Sequence, residues 1–254
     1  VSIYRLLTAA GREPARITDS ELSALYAHPD PGDRAWVRTN FVSTLDGAVQ
    51  GRDGRSGTIN TASDRAVFAL LRAHADVVLV GAGTARAEHY RAVDLDDRQV
   101  AVREQLGLAP HPTLAIVSAS GDLAENLFAG SECGPVLILT SRASRADRPQ
   151  FAAGIEVIEF GGSGELPVTE LITELAGRGL RRVLCEGGPR LNRQLHAAGL
   201  VDDLCLTLSP LVVAGPSART TIGDRIEEDH FRLEHALGAD DSTLLLRYLR
   251  AEHR

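Results

Sequence analysis

Asp76-Val-Val-Leu-Val-Gly81-Ala-Gly83-Thr84-Ala-Arg-Ala-Glu88 decides how this chain is read. A valine-rich apolar run stops at two glycines, and Thr84 opens a short polar segment able to form a helix. A strand that turns on glycine into a helix N-terminus sets unpaired backbone N–H groups side by side. With the helix dipole they favour an anion such as phosphate. About a hundred residues later, Arg182-Val-Leu-Cys-Glu186-Gly187-Gly188-Pro189-Arg190 repeats the same grammar. Glycine permits close backbone approach to a phosphate, and proline suits the first helical position. Two such turns, each with a carboxylate nearby, point to a bound cofactor with a reaction beside it.

Working outward, apolar strand-like runs recur at 36–44, 77–80, 114–118, 136–140, 155–160, 182–185, 203–209, 231–236 and 243–250. Helix-like segments fall near 62–74, 84–89, 122–129, 144–152, 167–178 and 190–198. This alternation predicts an α/β fold with a mostly parallel sheet between helices. The last three strands have no helix between them, so the final pair is expected to be antiparallel. Residues 1–31 read as an N-terminal appendage carrying one short helix from Asp19 to Ala27, started by the capping box Thr18-Asp-Ser-Glu21. Residues 32–254 read as one domain. Asp94-Leu-Asp-Asp-Arg98 and Gly161-Gly-Ser-Gly164 read as loops. On the helix at 62–74, Val67, Leu70, Leu71 and His74 form a core stripe. Arg65 and Arg72 flank it within about 20° of each other, either as surface charges or as an anion clamp.

Composition narrows the function classes. A net charge of −7 over 254 residues argues against a broad nucleic-acid surface. No apolar stretch approaches the roughly 20 residues that span a bilayer, and no leader pattern opens the chain, so a cytoplasmic protein without a membrane partner is expected. Cys133, Cys185 and Cys205 form no disulfide framework and are expected as buried thiols. None of the eight histidines pairs with another at the spacing of zinc-binding helices, so no metal is expected. All 27 basic residues are arginine, so any role suited to lysine falls to another side chain.

Arg38-Thr-Asn40-Phe-Val42-Ser43-Thr-Leu45-Asp46-Gly47 is a strand entering a tight Asp-Gly turn. With Leu70-Leu-Arg72-Ala, the two glycine stretches, Gly199-Leu-Val-Asp-Asp203, Leu208-Ser-Pro210 and Ala214-Gly215, it resembles the reductase half of the riboflavin-pathway pyrimidine reductases. The resemblance runs from about Ala35 to Arg250 and preserves the order of elements. It implies a dihydrofolate reductase-like fold, a homodimer and NADPH lying across the carboxyl ends of the strands. Val42, Thr58, Gly81, Gly83, Thr84, Glu88 and Ser118 would contact the cofactor, with its pyrophosphate over Gly187, Gly188, Pro189, Arg190 and Leu191. Asn40, Ser56, Arg72 and Glu186 would surround the substrate, and Glu88 would give catalytic proton or electrostatic help. The implied reaction reduces 5-amino-6-(5-phosphoribosylamino)uracil to its ribityl product.

The chain departs from the family pattern mainly on the substrate side. Asn40 stands for a usual lysine, Thr58 for a tryptophan, Glu88-His89-Tyr90 for Asp-Asp-Pro and Leu95 for a phosphate-holding arginine. Arg91 or Arg98 could replace that arginine, and Arg142 and Arg145 could pair with a 2′-phosphate. The zinc deaminase motifs that often accompany this reductase are missing. Two alternatives remain open at this point: a pteridine reductase of dihydrofolate type, and a non-catalytic NADPH-binding protein. A Rossmann site is disfavoured because Gly81-x-Gly83-x-x-Arg86 lacks the third glycine.

Overall fold

A computed structural model describes residues 1–6, 15–91, 93–121, 123, 134–143, 154–162 and 164–251. In chain order the elements are β1 (Ile3–Arg5), α1 (Asp19–Tyr26), β2 (Trp36–Thr44), α2 (Ala62–Ala73), β3 (Val77–Gly81) and α3 (Ala82–Ala87). Next come α4 (Asp97–Gln105), β4 (Thr113–Ser118), β5 (Val136–Ser141), β6 (Ile155–Phe160) and α5 (Val168–Gly177). The chain continues through β7 (Arg182–Cys185), α6 (Pro189–Ala197), β8 (Val201–Ser209), β9 (Phe231–Ala239) and β10 (Leu244–Arg250). The expected helices at 122–129 and 144–152 lie outside the described residues apart from Leu123, as do Cys133 and Arg145.

The strands form one ten-stranded sheet in the order β1-β9-β10-β8-β2-β7-β3-β4-β5-β6. Strands β8, β2, β7, β3, β4, β5 and β6 pair in parallel. β10 runs antiparallel to both β8 and β9, as expected for the final pair. The chain moves outward from β3 to β6, then returns to insert β7 between β2 and β3. That reversal opens a crevice at the carboxyl ends of these strands, where open α/β sheets bind ligands.

Each face of the sheet packs its own apolar layer. Val78, Val80, Leu114, Ile116, Ile138 and Leu184 meet Val67 and Leu71 of α2 on one face. Val77, Leu79, Leu139 and Val183 meet Leu171, Leu175, Leu191 and Leu195 of α5 and α6 on the other. Continuous apolar strands buried on both faces are what a parallel sheet demands. The stripe on α2 packs as expected, with Val67, Leu71 and His74 buried and Leu70 packed against the same cluster. Arg65 and Arg72 do not form a clamp: Arg65 is exposed, while Arg72 is held by Glu186.

Three expectations need correction. The N-terminal segment is not set apart: β1 pairs with β9, and Ile3 and Tyr26 belong to the core. Its capping box is present, Thr18 receiving the Glu21 N–H and Glu21 receiving the Thr18 N–H. The stretch expected as a loop at 94–98 leads into α4, with Asp96 and Gln99 forming a second capping box. Arg103 of α4 is 1% exposed and donates to the carbonyls of Arg72, Ala73 and Ala75, closing the C-terminal end of α2. α3 starts two residues before Thr84, with Gly81 as its N-cap.

Candidate active site

The crevice is a cavity of about 950 Å³, at the upper end of the range for ligand sites. Its floor joins the two glycine stretches. Parallel pairing sets Val77 against Val183 and Leu79 against Cys185. Beyond the paired ends, the Glu186 N–H donates to the Leu79 carbonyl (3.0 Å) and the Gly81 N–H donates to the Gly187 carbonyl (2.8 Å). A Cβ added at Gly81 would lie 3.3 Å from the Gly188 nitrogen, so the two turns sit against each other. Gly187 has φ +104° and is joined to Gly188 by a cis peptide bond.

Two helices begin at this junction, α3 after Gly81 and α6 after Gly188, and neither has a side-chain cap. Pro189 occupies the first turn of α6. Gly81, Gly83, Thr84, Gly187, Gly188, Pro189, Arg190 and Leu191 all line the cavity, and Ser118 lines it at the end of β4. The N–H groups of Gly83 and Thr84 in α3 and of Arg190 and Leu191 in α6, at two helix starts without side-chain caps, and the dipole of α6 suit a bound anion. A methyl group at Gly188 would lie 2.6 Å from Thr84 Oγ1, so the Thr84 hydroxyl already fills the space that a side chain at 188 would need.

The opposite wall comes from β2, α2 and the chain around Glu88. Asn40 and Val42 share a face of β2 and line the cavity, with Ser56, Asn60, Asp64, Phe68, Glu88, Tyr90 and Glu186. Glu186 is buried and held firmly. Arg72 donates from Nε to Oε1 (2.7 Å) and from Nη2 to Oε2 (2.7 Å), and the Tyr90 hydroxyl donates to Oε2 (2.6 Å). The Arg72 guanidinium also stacks on Phe68 at 4.2 Å and on Tyr90 at 5.5 Å. Burial raises the Tyr90 hydroxyl well above the usual tyrosine range, reinforced by the Glu186 charge, so it remains a proton donor to that carboxylate. Arg72 is pushed upward too: burial opposes its charge, but Glu186 outweighs burial.

Glu88 caps the C-terminal end of α3. Its Oε1 accepts from the Ser56 N–H (2.7 Å) and the Ser56 hydroxyl (2.9 Å), tying the loop after β2 to the end of α3. That loop is anchored at its start by the Asp46-Gly47 turn. Gly47 has φ +88°, the left-handed region that favours glycine. Asp46 accepts from the Ala214 N–H (2.7 Å), fastening the segment after β8.

Of the residues expected at the site, two do not line the cavity. Thr58 turns its hydroxyl to Asp53 (2.9 Å), and Arg72 lies behind Glu186. Leu95 is buried in the core cluster, and neither Arg91 nor Arg98 lines the cavity. Among the described arginines, Arg86 and Arg190 do line it. Arg142 lies outside it, 3.9 Å from Glu159. Sequence reasoning missed Asp64, Asn60 and Phe68, together with Glu165 and Ile222 from distant loops, and named Tyr90 only as a departure from the family pattern. The only sequence signal for Asp64 was its place in the first turn of α2, where an acidic residue has a structural explanation.

A 2,5-diamino-6-ribosylamino-4(3H)-pyrimidinone 5′-phosphate reductase from Methanothermobacter thermautotrophicus is 27% identical over 214 residues, covering 82% of this chain and 95% of that protein. The crystal structure of a pyrimidine reductase-like protein from Corynebacterium diphtheriae is 25% identical with TM-score 0.75, covering 91% of this chain and 99% of that one. Dihydrofolate reductase from Enterococcus faecalis shares the fold at 12% identity and TM-score 0.50, over 85% of this chain and 97% of its own. The model of the RibD C-terminal domain matches residues 35–245, so the chain belongs to the RibD C-terminal domain family.

Proposed function

We propose that this chain is an NADPH-dependent reductase of a ribosylaminopyrimidine 5′-phosphate, acting in riboflavin biosynthesis. The observation that carries the reading is the pair of hydrogen-bonded glycine turns, each opening an uncapped helix onto one cavity. The relatives' names supply the substrate class: a pyrimidine bearing an amino group at C5 and a phosphoribosylamino group at C6.

NADPH supplies the hydride when bound. The chain's own residues bind, orient and manage protons. Backbone N–H groups around Gly83–Thr84 and Arg190–Leu191 would hold the pyrophosphate, with Val42 on β2 toward the nicotinamide end and Ser118, on β4 across the glycine turns, toward the other end. On the opposite wall, Glu186 would accept from one substrate N–H group; a carboxylate has about four acceptor positions, and its three bonds to Arg72 and Tyr90 leave one. Asn40 offers both a donor and an acceptor. In the balanced reaction the ribosylamine opens to its imine. Its C1′ would take the hydride that the bound cofactor supplies, and its nitrogen would take a proton. Glu88, at the cavity wall beside α3, is the proposed source of that proton or of its electrostatic support.

The test is NADPH oxidation followed at 340 nm with each ribosylaminopyrimidine phosphate and with dihydrofolate. Turnover of at least one pyrimidine is expected; turnover of dihydrofolate alone would overturn the reading. Glu88→Gln keeps a carbonyl to receive the Ser56 N–H but removes the charge. It is expected to lower kcat on the order of a hundredfold while leaving the Kd for NADPH nearly unchanged. A fully active variant would remove Glu88 from the chemistry. Gly188→Ala is expected to weaken NADPH binding about tenfold, because the added methyl displaces Thr84 at the turn that must approach the pyrophosphate. Fluorescence titration with NADPH reads this directly, and an unchanged Kd would limit Gly188 to a backbone role.

A further inference from the structure

Asp64 is a cavity-lining carboxylate with no place in the scheme above. It sits in the first turn of α2 and is 3% exposed. It does not cap its own helix. Thr61 does that, receiving the Asp64 backbone N–H at 3.1 Å. The buried carboxylates of Asp203 and Glu186 are each gripped by arginine. The hydrogen bonds to the Asp64 carboxyl come from neutral groups instead. Thr207 donates its hydroxyl, and the Asn60 amide, oriented to satisfy both ends, donates to Asp64 Oδ2 (3.2 Å) and to the Ser56 carbonyl (3.0 Å).

A buried carboxylate has acceptor positions for more donors than these two, and leaving them unfilled carries a desolvation cost. Burial raises the Asp64 carboxyl above its usual range, with the Thr207 hydrogen bond pulling the other way. Asp64 also lines the cavity, where a ligand can supply the donors that its remaining acceptor positions lack. Phe68 lines the same wall from the next turn of α2 and supplies an apolar surface for a flat ring.

We propose that Asp64 reads the Watson–Crick-like edge of the substrate ring, accepting N3–H and the 2-amino N–H of a 2-aminopyrimidin-4-one. It thereby selects the 2,5-diamino substrate over the corresponding uracil. This rests on the reductase reading above and deepens it. A 2-aminopyrimidin-4-one presents two adjacent N–H donors, matching the two oxygens of one carboxylate. In a uracil, N3–H lies between two carbonyls, so the second carboxylate oxygen faces another acceptor. Glu186 keeps one acceptor position for an amino group at the other end of the ring.

The test compares kcat/KM for the two phosphoribosylaminopyrimidines that differ only at C2, using the full chain with NADPH. The wild-type protein is expected to favour the 2-amino compound by about tenfold or more. Asp64→Asn supplies one donor and one acceptor, which tolerates the uracil carbonyl, and is expected to reduce that preference by about tenfold. A purely structural role would lower both rates alike and leave the ratio unchanged, which would overturn the proposal. Calorimetric binding of isocytosine and of uracil to the NADPH-loaded wild-type protein provides a second readout independent of the variant's folding and of turnover. Tighter isocytosine binding is expected, and equal or tighter uracil binding would overturn the assignment. If neither phosphate is reduced, the reductase reading fails, and the binding comparison still decides the role of Asp64.

Discussion

Arg72→Leu is expected to destabilise the protein by roughly 3–5 kcal/mol, the usual consequence of removing one partner from a buried ion pair. Glu186 has a side chain 2% exposed and takes both guanidinium hydrogen bonds at 2.7 Å. Without Arg72 its charge would be left with the Tyr90 hydroxyl and little water. In a chain of this size the loss corresponds to a melting temperature lower by on the order of 10 °C. Adding Glu186→Gln should recover a large part of it, because the stranded charge disappears. Equal melting temperatures for Arg72→Leu and wild type would show that Glu186 finds other compensation. The same variant should raise the KM for substrate, since the carboxylate facing the cavity would no longer be fixed in place.

Lowering the pH from 7 to 5 is expected to cost roughly 2 kcal/mol of stability for each of His74 and His235. Burial pushes both histidines down to about 4; nearby arginines add to the effect, Arg38 and Arg182 at His74 and Arg247 at His235. In the unfolded chain they titrate near pH 6.5. The unfolded state therefore binds more protons between pH 6.5 and about 4, so stability is fully present above that window and declines through it. Asp203 behaves differently. Burial alone would raise its carboxyl, but Arg38 and Arg247 outweigh burial and hold it below its usual range. Its contribution survives this window and is lost only at lower pH. Urea denaturation at pH 7 and pH 5 tests the prediction, with His235→Phe expected to flatten the dependence. A pH-independent midpoint would mean that both rings remain neutral in the unfolded chain or are protonated in the folded one.

The parallel core and the glycine turns were legible because their signals are local. Apolar runs of strand length, the stripe Val67-Leu71-His74 and the sequence Gly187-Gly-Pro189 each carry their geometry within a few residues. α4 was missed for the opposite reason. Its charged composition reads as a loop, and it is secured by Arg103, a polar residue buried against the end of α2. β1 was missed because a three-residue edge strand has no periodicity; its partner in β9 lies more than 200 residues away. On the site, the wall of glycine turns follows from backbone shape and so from glycine. The opposite wall depends on side chains from different elements, as Tyr90 meeting Arg72 on Glu186 shows. No spacing within one segment reveals that meeting.

The placement of β7 also governs assembly. β2 and β3 are close in sequence but never touch as neighbours in the sheet, because residues 182–185 fill the space between them. A growing chain that has emitted everything through β6 still lacks the central strand, and its two earliest parallel strands remain unjoined. The long separation between partners slows such pairing. Arrival of β7 joins β2 to β3 and, in the next few residues, brings Glu186 and the second glycine turn to the first. The joined glycine turns thus cannot precede insertion of β7, so capacity to bind a dinucleotide reports that this strand has reached its place between β2 and β3.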